Sequence, residues 1–172
     1  ALSCLDKPAG TRLLFSMGRN ICSNANRIVR EMRGEWLWLL GDDHVFHPDI
    51  LMRLLEHDVD VVVPVCLMRQ HPFPPVLYAG EGDDGSHIPL DMTELSPEGL
   101  HTVHAAGGAG MLVKRHVFDA IEPPWFEYGQ ADGGRIGEDL NIGRKIREAG
   151  FTIHADLGTP IGHISTIAVW PK

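Results

Sequence analysis

Short apolar runs alternate along this chain with segments whose apolar positions recur at helical spacing. Thr11-Arg12-Leu13-Leu14-Phe15-Ser16 reads as a strand, and Gly18-Arg19-Asn20 breaks it. Ile21, Ile28, Val29 and Met32 repeat along one face of a helix over about 20–33, which Gly34 ends. The Trp36–Leu40 run is too short to span a membrane and has the length of a buried strand. Pro48 suits the first turn of a helix through Glu56. Asp60-Val61-Val62-Val63-Pro64-Val65 is short and β-branched, a second buried strand. This order predicts an α/β domain with a mostly parallel central sheet and helices on both faces. It also predicts that Trp36–Leu40 and Val61–Val65 are interior and adjacent.

Beyond Arg69 the pattern changes. Pro72, Pro74, Pro75 and the Gly-rich stretch to Gly85 predict a long loop. Leu100–Ala106 reads as a strand, Gly107-Gly108-Ala109-Gly110 as a tight turn, and Met111-Leu112-Val113 as the strand that follows. Val117, Phe118 and Ile121 form a short helix closed by Pro123-Pro124. After a polar, Gly-rich stretch, Glu138–Ala149 reads as a helix ending at Gly150. Phe151–His154 is a strand, and a last segment runs through Ile161-Gly162-His163-Ile164-Ser165. No repeat or linker divides residues 1–172, so one domain is expected.

A net charge of −8 weighs against nucleic acid or an anionic membrane as the main partner. Cys4, Cys22 and Cys66 are odd in number and lack CxxC spacing, which fits a reducing, cytoplasmic compartment. No membrane span and no signal-peptide pattern is visible.

Three clusters carry candidate chemistry. Asp42-Asp43-His44 closes the Trp36–Leu40 strand, where open α/β sheets bind ligands. Carboxylate and imidazole together suit a divalent ion such as Mn²⁺; the alternative is a solvated loop that caps the next helix. Glu138-Asp139 opens a helix, as a base or merely as an offset to the helix dipole. His163 stands between Gly162 and Ile164 near the end of the chain. The Gly107–Gly110 turn lacks the GxGxxG spacing of a dinucleotide fingerprint.

Taken in order, these segments resemble glycosyltransferases of the GT-A fold, in particular the family-two-like branch. The resemblance covers about residues 11 to 165 and is carried best by Trp36 to Leu55, Gly107 to Phe118 and Gly137 to His163. It implies a Rossmann-like sheet and an acidic DxD motif holding Mn²⁺ or Mg²⁺, with the ion in turn holding the diphosphate of a nucleotide-sugar. It implies Asp43, His44 and His163 as metal ligands and Asp42 as a donor contact. Glu138 and Asp139 match the family's Glu-Asp pair, which faces the acceptor and supplies a base in inverting members. Arg19, Asn20, Asn26 and Arg27 fall where relatives contact the nucleotide; the alternative is a solvated helix face.

Two departures from the family pattern stand out. Spacing to Pro48-Asp49 puts the first Asp of a DxD on Gly41, while a second frame makes Asp42-Asp43-His44 a DxH variant. Only ten residues precede Thr11, so the nucleotide-binding half is expected to be shortened.

The function expected is metal-dependent transfer of a sugar, in the hexosyltransferase class. The donor is a nucleoside-diphosphate-sugar and the acceptor a carbohydrate or other hydroxyl, with oligomer formation left open. The alternatives are a nucleotidyl or phosphoryl transferase and a non-catalytic nucleotide-sugar binding module.

Overall fold

A computed structural model of the protein describes residues 2–83, 85–93, 95–131 and 134–165. After a single 3₁₀ turn at Leu2–Cys4 come α1 (Ile21–Glu31), β1 (Trp36–Trp38), β2 (His44–Phe46), α2 (Ile50–Glu56), β3 (Val61–Val65), β4 (Leu77–Glu81) and β5 (His87–Pro89). The second half holds β6 (Leu100–Val103), β7 (Ala105–Ala106), β8 (Leu112–Lys114), α3 (Arg115–Asp119), β9 (Gly129–Ala131), β10 (Gly134–Ile136), α4 (Glu138–Glu148) and β11 (Ile153–His163). Among these described residues no helix is long and apolar enough to cross a membrane.

The α/β class and the central sheet are as the alternation requires. The six-stranded sheet runs β1-β8-β3-β11-β2, with β6 also paired to β11. Val61, Val62 and Val63 are buried on both faces, as a continuous apolar run demands. Val61 and Val63 join Val29, Val117, Ile142 and Ile146 of α1, α3 and α4. Val62 joins Ile50, Leu51 and Leu54 of α2 on the opposite face. Successive residues of one strand therefore anchor two helical layers.

Pairing within the sheet differs from expectation. β3 and β11 are parallel, and the other described pairs of this sheet are antiparallel. β1 and β3 do run in the same sense, because each is antiparallel to β8. However, β8 lies between them and leaves β1 at the edge. Local apolar content marks a strand as buried but does not choose its neighbour, so a strand distant in sequence can insert there.

Other segments are also corrected. Residues 11–16 form no strand; Leu13 and Phe15 are exposed, and a short apolar run without a ladder partner yields none. The expected 69–85 loop contains β4, which pairs with β5 and β7 in a separate small sheet. The expected 100–106 strand divides at His104: β6 joins the central sheet and β7 the small one. The two final segments are one strand, β11, with a register shift between Asp156 and Pro160.

The helix over 20–33 is α1. Asn20 caps it by accepting the Ser23 N–H on Oδ1 at 2.9 Å. The helix expected from Pro48 begins at Ile50, with Asp49 in the cap position. Gly150 ends the last helix at φ 89°, where a side chain would be strained.

Candidate functional site

Antiparallel pairing of β2 with β11 sets His44 opposite His163, and opposed residues share a face. Their ring centroids are 5.2 Å apart. Asp43 is held just before β2 by the Ile164 N–H, which donates to its carbonyl at 2.8 Å. One ligand atom from each of Asp43, His44 and His163 lies within 4.8 Å of the others. Asp43 Oδ2 is 3.4 Å from His163 Nε2, and Asp43 Oδ1 is 3.8 Å from His44 Nε2. Residues 120 positions apart are thus adjacent, because a register places them there.

The hydrogen bonds around the rings decide what they offer. His163 Nδ1 faces the Leu67 carbonyl at 3.2 Å. A carbonyl only accepts, so Nδ1 carries the proton, and the Nε2 lone pair, beside Asp43, accepts the Arg69 Nε–H at 3.0 Å. Ligating imidazoles are commonly oriented in this way. His44 Nδ1 accepts the Gly41 N–H at 3.0 Å. Burial holds the His44 pKa below the ordinary histidine value despite the Asp43 carboxylate beside it, which favours the neutral ring a metal needs. Two imidazoles and a carboxylate are residue types that suit a borderline divalent cation; His44, whose Nδ1 lone pair is taken by the Gly41 N–H, would have to give up that bond to ligate.

Gly41 makes this arrangement possible. A Cβ built there would lie 2.8 Å from Asp43 Oδ1, 2.9 Å from His44 Cε1 and 3.0 Å from His44 Nδ1. No side chain fits at that position while Asp43 and His44 hold these places. Asp42 is exposed and lies outside the group of three.

A second cluster surrounds Asp139. Its Oδ2 accepts the Gly108 N–H at 3.3 Å, and its Oδ1 accepts the Leu140 N–H at 2.8 Å. A Cβ on Gly137 would come within 2.7 Å of Asp139 Oδ1, so this glycine lets the carboxylate fold back toward the turn. Burial raises the Glu138 pKa, with the Asp139 charge adding to it and Arg135 opposing. The Gly107–Gly110 turn links the two clusters. Gly108 touches Asp139, whereas a Cβ on Gly110 would meet Pro64 and Ile161, two residues before His163. Trp38 Nε1–H donates to the Gly110 carbonyl at 2.8 Å and ties β1 to the same turn.

The expected nucleotide contacts fare differently. Asn26 is buried; its amide donates to the Phe126 and Cys22 carbonyls at 2.7 and 2.8 Å, and its Oδ1 accepts the Phe126 N–H at 3.0 Å. Asn20 caps α1. Arg27 pairs with Glu31 on the exposed face at 2.8 Å. These three side chains serve the placement and stability of α1, Asn20 and Arg27 through neighbours on the helix itself and Asn26 by also tying it to Phe126. Arg19 is exposed, and its carbonyl accepts the Asn24 amide at 3.1 Å.

A profile of the family described as Glycosyltransferase like family 2 matches residues 17–161. The chain belongs to this family. The crystal structure of A197 from STIV superposes on it with a TM-score of 0.62 at 14% identity, covering 90% of this chain and 72% of that one. The crystal structure of GalNAc-T7 with UDP, GalNAc and Mn²⁺ superposes with a TM-score of 0.59 at 16% identity, covering 86% of this chain and 30% of that one. No curated protein sequence matches it. At these identities the two structures establish a GT-A fold, and the family makes the chain a glycosyltransferase.

Sequence reasoning missed one residue of the site. Arg69 Nη2 donates to Asp43 Oδ2 at 2.5 Å, and Arg69 Nε donates to His163 Nε2 at 3.0 Å. A lone arginine at the start of a Pro-rich loop carries no local signal of this contact.

Proposed function

We propose that this glycosyltransferase moves a hexosyl group from a nucleoside-diphosphate-sugar to an acceptor hydroxyl, with Asp43, His44 and His163 holding a divalent cation. The observation that carries this reading is the convergence of those three ligand atoms. Two imidazoles favour Mn²⁺ over Mg²⁺, which prefers oxygen ligands and dehydrates reluctantly. Gly41 supports the frame in which Asp43 and His44, rather than a flanking Asp pair, face the ion. A bound cation would act as a Lewis acid on the departing diphosphate.

The chain's own residues supply the rest. Asp139 accepts the proton of the acceptor hydroxyl or fixes that hydroxyl for attack. The Gly107–Gly110 turn brings backbone close to the carboxylate, and Gly108 N–H orients it. Glu138 sits half-buried at the first turn of α4 and steadies the step into the helix. Arg19 is the nucleotide-side contact that this reading retains. Residues 1–172 act as one catalytic domain, and the free cysteines fit a reducing, cytoplasmic setting.

The test is a thermal-shift panel of nucleoside diphosphates and their sugars, each with and without Mn²⁺. Ligand binding to the native state raises its stability by mass action. A shift requiring both Mn²⁺ and one nucleotide class is expected, followed by sugar transfer to an acceptor. Binding without turnover under a broad acceptor panel would instead indicate a binding module. No shift in any arm would overturn the reading.

A further inference from the structure

Arg69 occupies the ligand atoms that a cation would use. Its guanidinium contacts Asp43 Oδ2 at 2.5 Å and His163 Nε2 at 3.0 Å. Asp43 has a second oxygen to offer. His163 does not, because Nδ1 is committed to the Leu67 carbonyl and Nε2 has one lone pair. Arg69 and a metal therefore compete for His163.

The loop that bears Arg69 is built to hold it there. Leu67 bridges to Pro75, Met68 N–H donates to the Pro74 carbonyl at 2.9 Å, and Phe73 N–H donates to the Gln70 carbonyl at 2.7 Å. Val76 N–H closes the base on the Cys66 carbonyl at 2.9 Å. Phe73 takes φ 59°, an uncommon conformation for a bulky residue. The Arg69 side chain is nevertheless 49% exposed. It borders an open hollow of about 210 Å³ lined also by Met68, Phe73, Ile161 and Gly162. The guanidinium thus has room to swing without breaking the loop.

We propose that Arg69 is a positioning residue that exchanges partners: it holds Asp43 and His163 in the metal-free protein, then releases them and grips a diphosphate oxygen. This rests on the metal reading above and adds the device that couples cation entry to diphosphate binding. A planar, always-charged fork suits both partners in turn, first carboxylate and imidazole, then phosphate. In the absence of the ion the same fork keeps Asp43 and His163 together by offsetting the carboxylate charge.

The experiment uses the whole chain and two probes, Mn²⁺ alone and manganese pyrophosphate, which needs no base contacts. Wild type, Arg69→Gln, Arg69→Lys and Asp43→Asn are titrated calorimetrically, with a melting curve for each. Arg69→Gln is expected to bind Mn²⁺ roughly two- to fivefold more tightly than wild type, the scale of losing an exposed ion pair that competes. It is expected to bind manganese pyrophosphate roughly tenfold or more weakly, the scale of a lost charged hydrogen bond. Arg69→Lys should recover part of the pyrophosphate affinity. A merely structural Arg69 would move the melting curve and leave these opposite shifts absent. If Asp43→Asn abolishes Mn²⁺ binding while Arg69→Gln matches wild type with either probe, the exchange is overturned and the metal site stands. If wild type binds no Mn²⁺, both are overturned.

Discussion

Gly41→Ala isolates the packing that lets Asp43 and His44 share one ligand group. The added methyl carbon would stand 2.8 Å from Asp43 Oδ1 and 2.9 Å from His44 Cε1, where ordinary contact starts at 3.4 Å. Both groups must retreat by about 0.5 Å, beyond the ~0.2 Å tolerance of metal–ligand distances. Misplacing two ligand groups is taken to cost about one to two net hydrogen bonds, about 1–2 kcal/mol, and each ~1.4 kcal/mol is tenfold in affinity. Gly41→Ala should therefore weaken Mn²⁺ binding roughly five- to thirtyfold. The fold should hardly notice. The three atoms nearest that methyl all belong to side chains, and Ala limits the unfolded chain by about 0.4–1 kcal/mol in the protein's favour. Calorimetric titration with Mn²⁺ beside a thermal melt separates the two effects. A well-folded Gly41→Ala that binds Mn²⁺ as wild type does would refute the reasoning. Gly41→Asp, which restores an Asp-x-Asp spelling, should be no better than Gly41→Ala.

Further outcomes follow from the same contacts. Asp139→Asn should keep the fold and Mn²⁺ affinity while sugar transfer falls by roughly two or more orders of magnitude; near-normal transfer, measured as nucleoside diphosphate release, would leave Asp139 only a capping role. Glu138 has its pKa raised by burial, so the folded protein holds that proton more tightly than the unfolded chain. Its stabilising effect is complete below the unfolded value and is lost as pH rises through the raised folded value. Glu138→Gln should therefore lose less stability than wild type as pH rises above the ordinary glutamate range, and parallel melting profiles would contradict this. Asn26→Ala strips a buried residue of its bonds to Phe126 and should cost about 2–4 kcal/mol in denaturant unfolding. Nucleotide affinity of the folded fraction should not change, and a large loss would return Asn26 to the donor site.

The parts legible in the sequence are those that local pattern determines. Val61–Val65 declares itself as buried by continuous β-branched content, and α1 by the helical spacing of Ile21, Ile28, Val29 and Met32. Glu138 opens a helix, as its position before Gly150 indicates. What pattern does not encode is pairing. Trp36–Trp38 looked interior yet lies at the edge, because β8 arrives from a turn more than seventy residues later. The 11–16 segment carries the short apolar run of a strand, Leu13-Leu14-Phe15, and forms none, since a strand needs a ladder partner. The site divides along the same line. Asp43 and His163 stand out by type and place, but their adjacency is a consequence of the His44–His163 register. Arg69 enters through a long-range contact from a loop whose prolines announce only a turn. Asn26 shows the converse case, a polar residue in a suggestive place whose bonds close on its own scaffold.

The most direct test of the central claim is pulsed electron paramagnetic resonance of Mn²⁺ added to the whole protein, which detects ¹⁴N nuclei bonded to the ion. Imidazole nitrogen couplings are expected from wild type, reduced in His163→Ala and in His44→Ala, and the signal of bound Mn²⁺ should collapse in Asp43→Ala. Bound Mn²⁺ without nitrogen coupling, or couplings that survive unchanged in both histidine variants, would contradict the assignment of Asp43, His44 and His163 as the metal centre.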